Sequence, residues 1–287
     1  MENQIFQDLK GLHLSGMAEC WQNLQETRKH QEIVLQDGLA MLIQAEHDQR
    51  AANKTARLIK NARFRYDASI EQVLFDPAKG RDQGRIMQLA SCEYIKQGSS
   101  VLITGPAGVG KSYLSTALGY QACLSGYRVR YFNMNKLLEA MQMSRIETKA
   151  AKFFDRMAEV DLLIIEDFGM KILDGQQLLD FMELIEDRHA RKSTIITSQL
   201  PVKNWYDILA KNTTVADAVL ERLAKAAHRI ELSGDSTRKE YYLRQTRLET
   251  LTQVGGYRRN AWVVIAEIRR RLLYEKVSNR DFPASGC

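Results

Sequence analysis

The chain has 287 residues, 45% of them hydrophobic and 26% charged, and a formal net charge of +6. Chains of this length bury about 75% of the surface they expose when unfolded, so one or two domains with a sizeable core are expected, and the composition excludes a disordered or fibrous class. No apolar run approaches the roughly 20 residues of a membrane-spanning helix, and Met1 to Asp8 lacks the basic and apolar regions of a signal peptide, so no membrane partner and a cytoplasmic location are expected.

Residues 1–68 carry helical periodicity, with Ile5, Leu9 and Leu12 and then Leu35, Leu39, Leu42 and Ile43 at three- and four-residue steps, and predict a small helical N-terminal domain for DNA or a partner. Within it Arg50, Lys54, Arg57, Lys60, Arg63 and Arg65 are six basic residues with no acid between the first and last. On a helix the first four form one ridge that would meet phosphates without reading sequence, with Phe64 and Tyr66 adjoining. A merely solvated face is the other reading.

From 69 to about 250 short apolar runs alternate with helical stretches, the βαβ pattern of a parallel sheet covered on both faces. Five strands are predicted, at Ser100 to Thr104, Arg128 to Asn133, Asp161 to Glu166, Ser193 to Ser198 and His228 to Leu232. The fold class is therefore α/β with a parallel five-stranded sheet, preceded by the helical domain. A helical insert, Asn135 to Arg156, offers a second basic surface through Lys136, Arg145, Lys149 and Lys152. Residues 251–287 read as a C-terminal extension, helical from Asn260 to Val277 and then disordered. Its apolar run, Ala261 to Ala266, is too short to span a bilayer, and a packed or partner-binding helix is expected. Cys20, Cys92, Cys123 and Cys287 have no C-x-x-C spacing, so no zinc site is expected.

The chemistry begins after the first strand. Gly105, Pro106, Ala107, Gly108, Val109, Gly110, Lys111 and Ser112 form G-x-x-x-x-G-K-S between an apolar strand and a helical pattern that starts at Tyr113. In this motif backbone N–H groups curl round the phosphates of a nucleotide, the lysine reaches the β and γ phosphates, and the serine hydroxyl serves magnesium. The helix N-terminus behind it faces the anion. ATP and Mg2+ are the expected cofactors, held by residues Gly105 to Tyr113.

The third strand, Leu162 to Ile165, ends in Glu166 and Asp167. By position Glu166 serves the metal and Asp167 orients or deprotonates the attacking water. The usual order puts Asp first and, in many ATPases, Glu second. An ångström's displacement can cost around 100-fold in rate, so binding and slow, assembly-dependent hydrolysis are expected. The fourth strand ends in polar residues, where Gln199, or Ser198 in its place, would sense the γ-phosphate. Two later arginines stay open on composition alone. Arg222 is either a solvated helix charge or a finger completing a neighbour's site, and Arg238 could reach the γ-phosphate of its own subunit.

Taken in order, Leu12-His-Leu-Ser-Gly-Met-Ala18, the phosphate loop, Leu162-Leu-Ile-Ile-Glu-Asp-Phe-Gly169, Thr197-Ser-Gln-Leu-Pro201, Leu220-Glu-Arg-Leu223 and His228-Arg-Ile-Glu-Leu232 make a distinctive succession. Over residues 5 to 247 it resembles the IstB family of insertion-sequence ATP-binding proteins, relatives of the DnaC helicase loaders within the AAA+ group. The resemblance implies an AAA+ ATPase that acts as a transposition helper. Such a protein assembles with ATP on duplex DNA as a homo-oligomer with nucleotide at subunit interfaces, and recruits and stimulates a transposase. It also implies that Arg222 is the finger and Arg238 the second sensor. A replicative helicase loader, preferring single strands, is the alternative, and a plain NTPase without DNA the third class.

Overall fold

The computed structural model describes residues 2–27, 33–209, 213–225, 227–234 and 236. Residues 1–238 form one unit, and all described residues lie within it. The readings of Arg238 and of the 251–287 extension fall outside the described residues.

Three helices open the chain, α1 (Glu2–Gly11), α2 (Ser15–Glu26) and α3 (Leu35–Ala62). The packing of α2 on α3 depends on Gly16, where an added Cβ would lie 2.5 Å from the Ala45 carbonyl oxygen and 2.7 Å from the Cα of Glu46. A glycine lets the two backbones approach closely. The first-turn amides of α2 then find an acceptor on α3, because Gly16 N–H donates to Glu46 Oε2 at 2.8 Å and Met17 N–H to the same oxygen at 3.3 Å. The other oxygen of Glu46 accepts from Arg50 Nε at 2.7 Å.

Two results follow for this junction. Gly16→Ala is expected to lower stability by about 1–3 kcal/mol, since backbone must move to admit the methyl group, and thermal unfolding followed by circular dichroism measures it. The Arg50 hydrogen bond, reinforced by the two amides, holds the Glu46 carboxyl below its ordinary value. A depressed carboxyl contributes stability above its unfolded pKa and loses it as pH falls through the folded value. Acid titration should therefore loosen α2 from α3, and Glu46→Gln should remove that acid-dependent part.

Continuing without a break, α3 passes from this bundle onto the sheet, where its last turns pack on β2 and α6. The core elements are α4 (Gln83–Ala90), α5 (Glu93–Lys96), β1 (Val101–Thr104), α6 (Lys111–Leu124), β2 (Val129–Asn133), α7 (Met134–Ile146), α8 (Ala150–Glu159), β3 (Leu162–Phe168), α9 (Gly175–Arg188), β4 (Ser193–Ser198), α10 (Trp205–Leu209), α11 (Thr213–Ala224) and β5 (His228–Glu231). All strand pairs are parallel, in the order β2-β3-β4-β1-β5. The expected five-stranded parallel sheet is thus found, with strand bounds within one or two residues of those read from the apolar runs.

Burial on both faces explains why these strands read as unbroken apolar runs. Val101, Ile103, Leu162 and Ile164 point to one face, under α6 and the end of α3. Leu102, Leu163, Ile165 and Ile196 point to the other, with α7, α8, α9 and Trp205. Two details differ from expectation. The insert is two helices, broken where Thr148 takes φ 57°. Strand β3 runs two residues further than predicted, through a bulge between Ile165 and Phe168. Among the described residues no helix is long and apolar enough to cross a membrane.

Candidate nucleotide site and basic surfaces

The phosphate loop joins β1 to α6 at the C-terminal edge of the sheet, where ligands of open parallel sheets bind. Its first glycine is demanded by its neighbours: Gly105 has φ 146°, and a Cβ there would sit 2.2 Å from the carbonyl oxygen of Leu232, just past β5. Gly108 and Gly110 also have positive φ, 86° and 96°. The Lys111 ammonium is turned back onto the loop, donating to the carbonyls of Gly105 at 2.8 Å and Pro106 at 2.7 Å. Burial pushes its pKa down, and the charges of Asp167 and Glu166 oppose that shift. A lysine in this position is ready to exchange two neutral acceptors for charged phosphate oxygens, a stronger hydrogen bond.

The bulge in β3 aims the two carboxylates differently. Asp167 takes φ 57°, a left-handed conformation uncommon for a non-glycine residue and often stored at functional sites. Glu166 is buried at 1% exposure, while Asp167 is half-buried. Strand β2 supplies a partner to each. Tyr131 donates its hydroxyl to Glu166 Oε2, and Asn133 Nδ2 donates to Asp167 Oδ2 at 2.7 Å. Oε1 of Glu166 is buried with no hydrogen-bond partner among the described residues. An orphaned carboxylate oxygen beside a phosphate loop is costly unless a cation or water completes it, so the residues fit a nucleotide–metal complex.

Tyr131 and Asn133 were not among the residues singled out from sequence. Asn133 carried a signal, a polar residue closing an apolar strand, the same cue that marked Gln199. Tyr131 carried none, because an aromatic residue inside a buried strand reads as core. At the end of β4, Ser198 is committed elsewhere: its hydroxyl donates to the Phe168 carbonyl at 2.7 Å and accepts from Leu200 N–H at 3.1 Å. Gln199 is exposed one residue beyond the strand. The Ser198 carbonyl accepts from Gly105 N–H at 3.2 Å, so this strand end adjoins the phosphate loop.

Arg222 lies elsewhere. It is on α11, pairs with Glu186 of α9, and donates to the Ala218 carbonyl at 2.9 Å. It lines a small cleft with Gly98, Ser100, Arg188 and Thr194. Ser100 precedes β1 and Gly105 follows it, so Arg222 sits at the opposite end of that strand from the phosphate loop, a separation of about 13 Å along β1 alone.

The basic residues sort by their partners. Lys54, Arg57 and Lys60 are exposed along α3, whereas Arg50, also exposed, is paired with Glu46. Arg63 ends α3 in the left-handed region, φ 58°. In the insert Lys149 pairs with Glu147 at 2.9 Å, and Lys152 is exposed on α8. Arg145 is drawn inward, donating to buried Asp180 at 2.8 Å and to Glu183 at 3.2 Å. Among the described residues no group of His, Cys, Asp and Glu side chains could hold a metal ion by itself.

The chain is similar to known proteins over most of its length. It is 36% identical over 231 residues to an insertion sequence ATP-binding protein of Sinorhizobium fredii, covering 80% of this chain and 94% of the relative. It is 34% identical over 203 residues to one of Pseudomonas fluorescens, covering 70% and 87%. Among solved structures, a crystal structure of the DnaC helicase loader superposes with a TM-score of 0.51 at 19% identity, over 58% of this chain and 97% of that one. The replication initiator DnaA bound to AMPPCP and single-stranded DNA does so with 0.51 at 19%, over 75% and 66%. These structural likenesses show the AAA+ fold. Residues 7–245 match the family described as IstB-like ATP binding protein, and the chain belongs to that ATP-binding AAA+ family.

Proposed function

We propose that this protein is an ATP-dependent DNA-binding transposition helper, which assembles on duplex DNA with ATP at its subunit interfaces and recruits and stimulates a transposase. The observation that carries the reading is the union in one unit of a phosphate loop, whose lysine lies in the field of two carboxylates, with an exposed basic ridge on α3. The relatives' membership of insertion sequences supports the transposition context.

Ser112 and Glu166 would hold Mg2+, which supplies charge neutralisation at the β and γ phosphates. Asp167, held by Asn133, accepts a proton from or orients the attacking water. Gln199, next to the phosphate loop, reads the γ-phosphate. Arg222 is too far along β1 to serve its own loop, which supports a role across a subunit interface. Its pairing with Glu186 keeps the guanidinium engaged until a neighbour's phosphate replaces the carboxylate. Arg222→Ala is expected to leave ATP binding intact and lower hydrolysis by about 10³-fold, the low end for an arginine finger. Nucleotide binding and phosphate release measured side by side check this, and unchanged hydrolysis refutes the assignment.

The reading as a whole is tested by binding to duplex and single-stranded oligonucleotides of equal length, with magnesium, in ATP and then ADP. ATP-dependent duplex preference supports the helper. Single-strand preference points to a helicase loader, and no binding in either nucleotide removes DNA from the function.

A further inference from the structure

Two basic stretches far apart in sequence, the end of α3 on one face of the sheet and α8 on the other, both bring an arginine whose charge acts on the edge strand. The residue between them is Arg130 of β2, the edge strand. Its NH1 group donates to the Asn61 carbonyl in the last turn of α3 at 2.8 Å, and its guanidinium lies 5.3 Å from the Phe132 ring centroid. Its Nε is buried and has no hydrogen-bond partner among the described residues. On one side stands Arg63, the residue that ends α3. On the other is Arg156, whose Nε donates to the Lys152 carbonyl at 3.1 Å, one turn earlier on α8.

No carboxylate of the described residues pairs with any of these three arginines. Burial, and then the charges of Arg63 and Arg156, hold the pKa of Arg130 below the ordinary arginine value. One guanidinium at the C-terminus of α3 is explained by the exposed carbonyls and helix dipole there. Three are not, since each added cation repels the others once the half charge of the dipole is met. Three neighbouring cations with no carboxylate partner among the described residues call for an anion from outside the chain, met by the accessible guanidinium nitrogens rather than by the buried Nε of Arg130.

We infer that Arg63, Arg130 and Arg156 form a phosphodiester-binding site at the β2 edge, which joins the α3 ridge to Lys152 of α8 as one track along a nucleic-acid backbone. The inference rests on the DNA reading above and deepens it. Planar guanidinium forks suit phosphate oxygens, and the site would position the backbone without selecting sequence. Arg130 and Arg156 are new members of the basic surface, and neither belongs to the ridge seen in the sequence.

The test is duplex binding across a salt series for the unsubstituted chain, Arg156→Ala, Arg63→Ala, and Lys203→Ala as an exposed control away from the site. Arg156 and Arg63 are exposed, so their replacement leaves the core intact. Arg130→Lys keeps the charge but loses the fork. The slope of log Kobs against log salt should become shallower by about 0.9 for each phosphate that a variant no longer neutralises. The expected result is a slope shallower by that amount for Arg156→Ala and Arg63→Ala, weakened binding for Arg130→Lys, and little change for the control. Slopes for Arg156→Ala and Arg63→Ala that match the control overturn the site while leaving the DNA reading standing. No binding by the unsubstituted chain overturns the DNA reading and the site with it.

Discussion

Lys111→Ala is expected to weaken ATP binding by about 100-fold or more and to abolish ATP-dependent assembly. The magnitude follows from removing one partner of a buried hydrogen-bonded charge pair, a loss of about 2–5 kcal/mol, or roughly 30- to 4000-fold in affinity. In the structure Lys111 is 7% exposed, and among the described residues its ammonium donates to the carbonyls of Gly105 and Pro106. Both acceptors are neutral, so the charged oxygens of an arriving phosphate outcompete them for the ammonium. Because burial lowers its pKa, raising the pH should release the proton before an ordinary lysine would lose it, and ATP affinity should fall on the alkaline side. Bound phosphate stabilises the protonated form and moves that fall to higher pH. Titration with a fluorescent ATP analogue across pH checks both points, and affinity unchanged by Lys111→Ala refutes the loop's assigned role.

The second large effect concerns the carboxylates. Asp167→Asn is expected to lower hydrolysis by about 10²–10⁴-fold, the range for loss of a general base, while ATP binding stays within a few fold. The amide keeps the shape and the hydrogen-bonding reach of the side chain but accepts no proton. Asp167 sits in a left-handed backbone conformation and is held by Asn133, so its position is set by the bulge and by β2 together. Single-turnover hydrolysis with binding measured in parallel separates the two quantities. Hydrolysis that survives Asp167→Asn and is lost in Glu166→Gln would reverse the roles given to the two acids.

The reversed Glu–Asp order looked from sequence like a source of misplacement. The bulge in β3 is a second determinant of that geometry, beside side-chain length. An extra residue lies between Ile165 and Phe168, the longer acid is buried and bonded to Tyr131, and the shorter one is half-buried with a left-handed backbone. Side-chain length alone therefore does not decide where the carboxylates stand.

Much was legible in the chain because it is local. The glycine spacing, the apolar runs ending in polar residues, the three- and four-residue steps and the unbroken basic stretch from Arg50 to Arg65 are patterns of neighbours in sequence. They determined the phosphate loop, the parallel sheet and the family. What only the tertiary structure decided is pairing between distant residues. Register between β2 and β3 brought Tyr131 and Asn133 to the carboxylates. The packing of α7 on α9 drew Arg145 to Asp180, and that of α9 on α11 drew Arg222 to Glu186. The place of β2 at the sheet edge set Arg130 against the Asn61 carbonyl at the end of α3, within the field of Arg63 and Arg156. A local pattern states which residues share a face, but it carries no information on which other face meets it, and a charge's role is set by that second face.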